Sequence, residues 1–216
     1  MKKIVLGFIT TLMVVSLFTG CTGSSGSQTT SSSQTATATD SSQTDTDGDT
    51  LPDSVEKTYG TNPYAADTDG DSIPDNQDDN PIFAAMPFTT DGAAMNVEIV
   101  DAKVEDNATA DHLEITFKNT GTTPLDQLSI YYTIDDPVTG QSEAYYQELT
   151  GLTLNSGEQT TIHFDNGTGT GHYPGNTNGI YGTSANGPTF TITLHDGQNE
   201  FTTFTVVKAT GVEVAD

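Results

Sequence analysis

From about Met95 onward, apolar and polar residues alternate in short runs. "NVEIVDAKVED", "DHLEITFKN", "QLSIYYTID", "EAYYQEL", "EQTTIHFD", "TFTITLHD" and "FTTFTVVKA" each have the period of two that makes a strand with one buried face. In the second run Leu113, Ile115 and Phe117 share a face; in the sixth, Phe190, Ile192 and Leu194; in the seventh, Phe204 and Val206. Tyr145 and Tyr146 are adjacent and point to opposite faces of their strand, so at least one belongs to the core. Turn sequences separate the runs: "NTGTTP", "DDPVTG", "LNSG" and "HDGQN". Seven short strands over roughly 120 residues predict a mainly β fold, an immunoglobulin-like β-sandwich over residues 88–216. The single cysteine and the absence of tryptophan exclude the Cys–Trp–Cys core of antibody domains.

Upstream the pattern changes twice. Residues 22–44, "TGSSGSQTTSSSQTATATDSSQT", have no periodicity and almost no apolar surface, so nothing offsets the entropy of ordering them. They read as a disordered tether whose span, for a coil of this length, is on the order of 25 Å. Before them Met1–Lys2–Lys3 is a positive n-region and Ile4 to Phe18 an apolar stretch too short to cross a bilayer comfortably. "LFTGC" follows, ending on Cys21, the only cysteine. The stretch resembles the bacterial lipoprotein signal, although Phe18 stands where that pattern usually has leucine. The resemblance implies a signal peptide over residues 1–20, lipidation of Cys21, a 21–44 linker, and an extracytoplasmic protein held to the membrane by its acyl chains.

Charge narrows the function classes. The chain has 30 acidic residues, six lysines and no arginine, and losing residues 1–20 would remove two of those lysines and no acid. Nucleic acid is therefore not an expected partner, because nothing could neutralise its phosphates, and an anionic membrane surface is disfavoured for the same reason. No Gly-x-Ser-x-Gly elbow, phosphate-binding loop or dinucleotide fingerprint is present, and no enzyme activity is expected. None of His112, His163, His172 and His195 is paired with another at metal-ligand spacing, and His163 and His195 read as ordinary strand residues.

The densest charge lies in "DTDGDTLPDSVEKTYGTNPYAADTDGDSIPD", Asp45 to Asp75. Asp45, Asp47, Asp49, Pro52 and Asp53 recur 22 residues later as Asp67, Asp69, Asp71, Pro74 and Asp75. From Asp45 to Asp78 there are ten acids and one lysine, a charge that opposes folding unless a cation joins it. Calcium takes several oxygen ligands in a flexible shell, which suits carboxylates at alternate residues, then a backbone carbonyl, then a closing acid. The first loop offers Asp45, Asp47, Asp49, the Leu51 carbonyl, Asp53 and Glu56; the second offers Asp67, Asp69, Asp71, the Ile73 carbonyl, Asp75 and Asp78. The EF-hand is excluded, since its glycine at loop position 6 is Thr50 or Ser72 here. "PDSVEKTYG" predicts one short helix, started by Pro52 and stopped by Gly60, with Leu51, Val55 and Tyr59 on one face.

The doubled "DTDGDxxPD" and the intervening "GTNP" resemble the bacterial thrombospondin type 3 repeat. The resemblance covers about residues 45–81 and implies a small calcium-wrapped module with little core. The usual second glycine is replaced in both loops, which predicts an altered loop geometry. The rhythm "FKNTGTTPLDQLSIYYTIDD … LTLNSGEQTTIHF" looks like that of bacterial and archaeal surface sandwiches.

Two further stretches carry expectations. "NGTGTGHYPGNTNGIYGTSANGP", residues 166–188, is long for a sandwich connection and sets His172, Tyr173 and Tyr181 among Gly and Asn, as adaptable binding loops do. "PIFAAMPF", residues 81–88, is too apolar for a free linker and predicts a joint that buries Ile82 with Phe83 or Phe88 between module and sandwich. The combined expectation is a calcium-binding cell-surface lipoprotein that presents a sandwich to a surface protein or glycan. The alternative is a carbohydrate-binding accessory module on a calcium-stabilised stalk.

Overall fold

The apolar alternation becomes two sheets packed face to face. The computed structural model describes residues 44–89, 91–104, 113–165, 167–197 and 200–208. The expected signal peptide, Cys21, His112 and all of the expected tether but Thr44 lie outside the described residues. One sheet contains β2 (Val97–Val104), β3 (Leu113–Asn119), β6 (Gln159–Phe164) and β7 (His172–Tyr173), in the order β2-β3-β6-β7. The other contains β1 (Ala93–Ala94), β4 (Ser129–Asp135), β5 (Ser142–Glu148), β8 (Thr189–His195) and β9 (Glu200–Val207), in the order β1-β9-β8-β4-β5. The pairings are antiparallel except at the two-residue strands, where β1 runs parallel to β9 and β7 to β6. Successive strand pairs, β2–β3, β4–β5, β6–β7 and β8–β9, alternate between the two sheets, the crossing order of an immunoglobulin-like sandwich.

The core lies where the inward positions of both sheets meet. Ile115, Phe117, Ile130, Ile162, Phe190, Ile192 and Leu194 are fully buried, and Phe204 and Val206 pack against them from β9. Tyr132 sits opposite Ile192 on one neighbour and Tyr145 on the other. Its ring stacks on Tyr145 at 5.1 Å and meets Phe164 edge-on at 5.3 Å. Tyr145 enters the core, while Tyr146 turns to the opposite, outer face of the sheet, which carries a second small cluster of Ala84, Tyr131 and Ala144.

The apolar joint behaves differently from its expectation. It buries Ala84 completely, whereas Phe83 is 42% exposed and Ile82 and Phe88 are half-buried. The reason is backbone pairing. Ala84 N–H donates to the Ala144 carbonyl at 2.9 Å, and Ala144 N–H donates to the Ile82 carbonyl at 3.1 Å. Residues 82–84 thus lie along β5, the edge strand, with the small side chain facing the sheet and Phe83 facing away.

Candidate metal centre

The two aspartate loops have one hydrogen-bond plan, repeated with an offset of 22 residues. Asp45 Oδ1 accepts from Gly48 N–H at 2.8 Å and its Oδ2 from Thr50 N–H at 3.2 Å. Asp67 does the same for Gly70 and Ser72, at 2.9 and 2.8 Å. Asp47 and Asp69 each accept from the N–H two residues on, as do Asp49 and Asp71. These last bonds tie in Leu51 and Ile73, the two residues expected to give carbonyls. Asp53 and Asp75 have a different part. Both oxygens of each accept from the backbone and hydroxyl of Thr46 or Thr68, so they close the loops.

Thr50 and Ser72, which stand where the usual second glycine would, take backbone conformations that favour glycine. Thr50 and Ser72 adopt positive φ, 82° and 78°, as Gly48 and Gly70 do at 85° and 81°. The loops keep the left-handed conformation with side chains that disfavour it, at a cost of about 1–2 kcal/mol each. The carboxylate bonds to the Thr50 and Ser72 N–H groups hold them there.

These bonds use one oxygen of the inner carboxylates and leave the other. Asp47 Oδ2, Asp49 Oδ2 and Glu56 Oε2 are buried with no hydrogen-bond partner, and so are Asp69 Oδ2 and Asp78 Oδ2. Carboxylate oxygens of Asp45, Asp47 and Asp49 lie within 4.8 Å of one another, as do those of Asp67, Asp69 and Asp71. Glu56 arrives from the helix α1 (Asp53–Tyr59). Pro52 precedes that helix, and Gly60, at φ 84°, ends it by donating its N–H to the Glu56 carbonyl at 2.8 Å. The expected apolar face is not what α1 buries: Tyr59 is 61% exposed, and Glu56 is the fully buried residue. The helix is a device for inserting a carboxylate.

Burial and mutual repulsion raise the proton affinity of these carboxylates when no cation is bound. Burial, with the charges of Asp47 and Asp49 beside it, pushes Glu56 up to about 7. Burial, with Asp71, Asp67 and Asp78 nearby, pushes Asp69 up to about 7. Asp75 is raised to about 6 by burial in spite of the Thr68 bonds, and Asp47 is raised by burial with Asp49 and Asp45 adding to it. A donor set made only of carboxylate and backbone oxygen is the chemistry of a hard divalent cation. The residues present fit such an ion in both loops.

The module meets the sandwich through polar groups that sequence patterning did not single out. Tyr146 N–H donates to the Asp69 carbonyl at 2.7 Å, and Gly70 lies so close to the Tyr146 carbonyl that a Cβ there would overlap it. Asn176 Nδ2 donates to the Gly60 carbonyl at 2.6 Å, Asn178 Nδ2 to the Thr61 carbonyl at 2.7 Å, and Asn62 Nδ2 to the Gly175 carbonyl at 3.2 Å. Asn176 also donates to the Tyr145 hydroxyl, which donates to the buried Glu143 carboxylate at 2.8 Å. That carboxylate accepts the Ile180 N–H at the start of the short helix α2 (Ile180–Thr183). The signal was present as "GTN" and "GNTNG", whose asparagines satisfy turn carbonyls covered at the contact.

The long loop is therefore a docking strap, and the expectation of a ligand site built on its three aromatic residues is not met. Tyr173 and Tyr181 are buried in the core, and Tyr181 packs edge-on to Phe190 with the Lys208 ammonium over its ring. His172 alone is half-exposed. Its Nδ1 lies 3.0 Å from Asp165, and its ring stacks on His163 at 5.0 Å, a neighbour supplied by the β6–β7 pairing.

No family model matches the chain, and no curated protein does. Among solved structures it is similar to a β-glucosidase from Listeria innocua, at 14% identity and a TM-score of 0.30 over 66% of this chain and 19% of that one. It therefore spans under a fifth of that enzyme's length. It is also similar to the CARDB domain of the PF1109 protein from Pyrococcus furiosus, in complex with di-metal ions, at 15% identity and a TM-score of 0.30 over 57% of this chain and all of that one. A third likeness is to the alkylpurine DNA glycosylase AlkC of Pseudomonas fluorescens, at 21% identity and a TM-score of 0.26. These likenesses carry nothing about activity. The fold rests on the strand order itself, and the metal centre on its own carboxylates.

Proposed function

We propose that the chain is a calcium-binding cell-surface lipoprotein, in which two loops of thrombospondin type 3 kind hold calcium and fix the attitude of a β-sandwich interaction domain. The observation that carries this reading is the set of five buried carboxylate oxygens without partners, distributed over two loops of identical plan. Asp45, Asp47, Asp49 and Glu56 would hold one ion; Asp67, Asp69, Asp71 and Asp78 the other, with Leu51 and Ile73 giving backbone oxygens. Asp53 and Asp75 act behind them, each closing its loop through a threonine. Calcium suits the sites better than magnesium because it accepts more oxygens and less regular geometry. Its binding energy is then also folding energy for a segment with almost no core of its own.

The anchor completes the proposal. Acyl chains on Cys21 would hold the protein to the membrane, residues 22–44 would give it reach, and the calcium module would convert a flexible stalk into a fixed mount. No enzymatic role is proposed; the sandwich would meet a surface protein or a glycan. Calorimetry on the full chain tests the centre: two calcium ions bound in the range of about 10⁻⁴–10⁻³ M, as in extracellular calcium modules, is the expected result. No binding at millimolar calcium would end the reading. For the anchor, Cys21→Ser is expected to abolish labelling by a fatty-acid probe and release the protein from membranes; unchanged labelling would refute lipidation.

A further inference from the structure

β5 is the last strand of the five-stranded sheet. Alternate residues of such a strand turn their N–H and C=O groups away from the sheet, and an uncovered row of them is a template for another strand. In β5 that row is Ser142, Ala144, Tyr146 and Glu148. Ala144 N–H donates to the Ile82 carbonyl at 3.1 Å, and its carbonyl accepts from Ala84 N–H at 2.9 Å. Tyr146 N–H donates to the Asp69 carbonyl at 2.7 Å, and the Tyr146 carbonyl faces Gly70 with no room for a Cβ between them. Both middle residues of the row are therefore covered, by the second aspartate loop and by the segment that leaves it.

The cover rests on the proposed calcium binding, since a loop of carboxylates holds its shape only with its ion. Asp69 stands between Asp67 and Asp71 in that loop, so the carbonyl that caps Tyr146 belongs to a residue of the metal centre itself. The segment 82–84 begins four residues after Asp78 and lies on β5 through two backbone bonds, with Phe83 facing away. Loss of the ion loosens one part of the cover directly and the other through the chain that joins them.

An open β5 is complementary to itself. Laid antiparallel on a second β5 about a two-fold axis at Tyr145, Ala144 faces the second copy's Tyr146, and Ser142 faces its Glu148. Every outward residue then meets an outward residue, so each pair exchanges both backbone hydrogen bonds over the whole length of the strand. On the outer face a small side chain meets a large one, Ala144 against Tyr146; on the inner face Glu143 meets Gln147. The chain carries 30 acidic residues against six lysines, yet in this register no carboxylate of β5 opposes another. We propose that calcium guards this edge, and that its removal lets β5 pair with β5 of a second copy of the chain, joining two five-stranded sheets into one.

The test is sedimentation of residues 40–216, which hold the module, both sheets and their core, over a range of protein concentrations. It is run at pH 7.5 in about 0.15 M salt, which screens charge beyond roughly 8 Å. One series contains millimolar calcium and the other a chelator, with calcium calorimetry on the same preparation. The expected result is a monomer in calcium and, in chelator, a dimer that added calcium dissolves. Ser142→Glu sets two carboxylates opposite each other at both ends of the pairing and is expected to weaken the dimer about tenfold. Adding Glu148→Lys to that variant is expected to restore it, because the two positions are opposite only between copies. Both positions are exposed, so neither change disturbs the core. Overturning results are a dimer of equal strength in both series, or a dimer that Ser142→Glu leaves unchanged, which would lie on another surface. A chain that binds calcium yet stays monomeric in chelator overturns the guarded edge alone and leaves the metal centre standing. A chain that binds no calcium overturns both.

Discussion

Gly48 and Gly70 occupy the same position in the two loops, with the same φ, yet they have different neighbours. Nothing lies within 4 Å of a Cβ placed at Gly48, whereas one at Gly70 would overlap the Tyr146 carbonyl. Gly48→Ala is expected to cost about 1–2 kcal/mol of backbone strain and leave the calcium stoichiometry unchanged. Gly70→Ala carries the same strain and also drives the module off β5, so it is expected to lower the melting temperature in calcium by several degrees more. Equal losses in paired thermal melts would show that the approach to Tyr146 is not tight. Thr50→Gly and Ser72→Gly run the other way. Each relieves left-handed strain against the added chain entropy of glycine, with an expected net gain on the order of 0.5–1 kcal/mol in calcium-saturated melts. Glu56→Gln removes a fully buried carboxylate and is expected to weaken one of the two proposed calcium sites by on the order of tenfold or more, leaving the other intact in calorimetry.

At the scale of the element, each loop is a carboxylate cage whose stability would reverse its pH dependence on binding a cation. Without metal, Glu56 and Asp69 at about 7 and Asp75 at about 6 lie above the ordinary carboxylate range near 4. The folded loops then bind more protons than the unfolded chain, so this contribution is fully present below about pH 4 and is lost as pH rises through 6 to 7. With calcium the order reverses, because the ion needs the carboxylates ionised and binding releases their protons. In chelator, the module is expected to resist proteolysis better at pH 5 than at pH 7.5; in millimolar calcium, better at pH 7.5. Equal pH trends in both conditions would show that the protons and the ion do not share the sites. The convergence of the loop carboxylates was legible in the sequence because an acidic repeat is local: spacing alone brings alternate carboxylates together. What α1 buries was not legible. A periodicity argument looks for apolar faces, and here the buried position is an acid whose neighbours come from the loop before it.

For the whole molecule, the contact between module and sandwich includes backbone and asparagine hydrogen bonds. Asn176 and Asn178 reach the Gly60 and Thr61 carbonyls across more than a hundred residues of chain. Such a contact depends on both partners being held in shape, so metal removal is expected to loosen it. Scattering from residues 40–216 is expected to show a longer, looser particle in chelator, with the strand circular dichroism retained. Identical profiles with and without calcium would refute the calcium-fixed mount. Asn176→Ala in calcium is expected to loosen the joint partway, at a cost of about 1–3 kcal/mol for the carbonyl and hydroxyl left without a donor.

The sequence by itself determined the strands, their inward faces and the two acidic loops, because each is specified by residues a few positions apart. Leu113, Ile115 and Phe117 had to face one way whatever they met, and Asp67, Asp69 and Asp71 had to converge if their loop closed. Only the tertiary structure decided what these elements touch. It paired the 82–84 backbone with β5 and so left Phe83 outside. It took Tyr173 and Tyr181 into the core, turned the long loop into a strap, and set Phe88 on His195. Those outcomes depend on which chain segments lie across from one another after the sheets pack, and no local period encodes that.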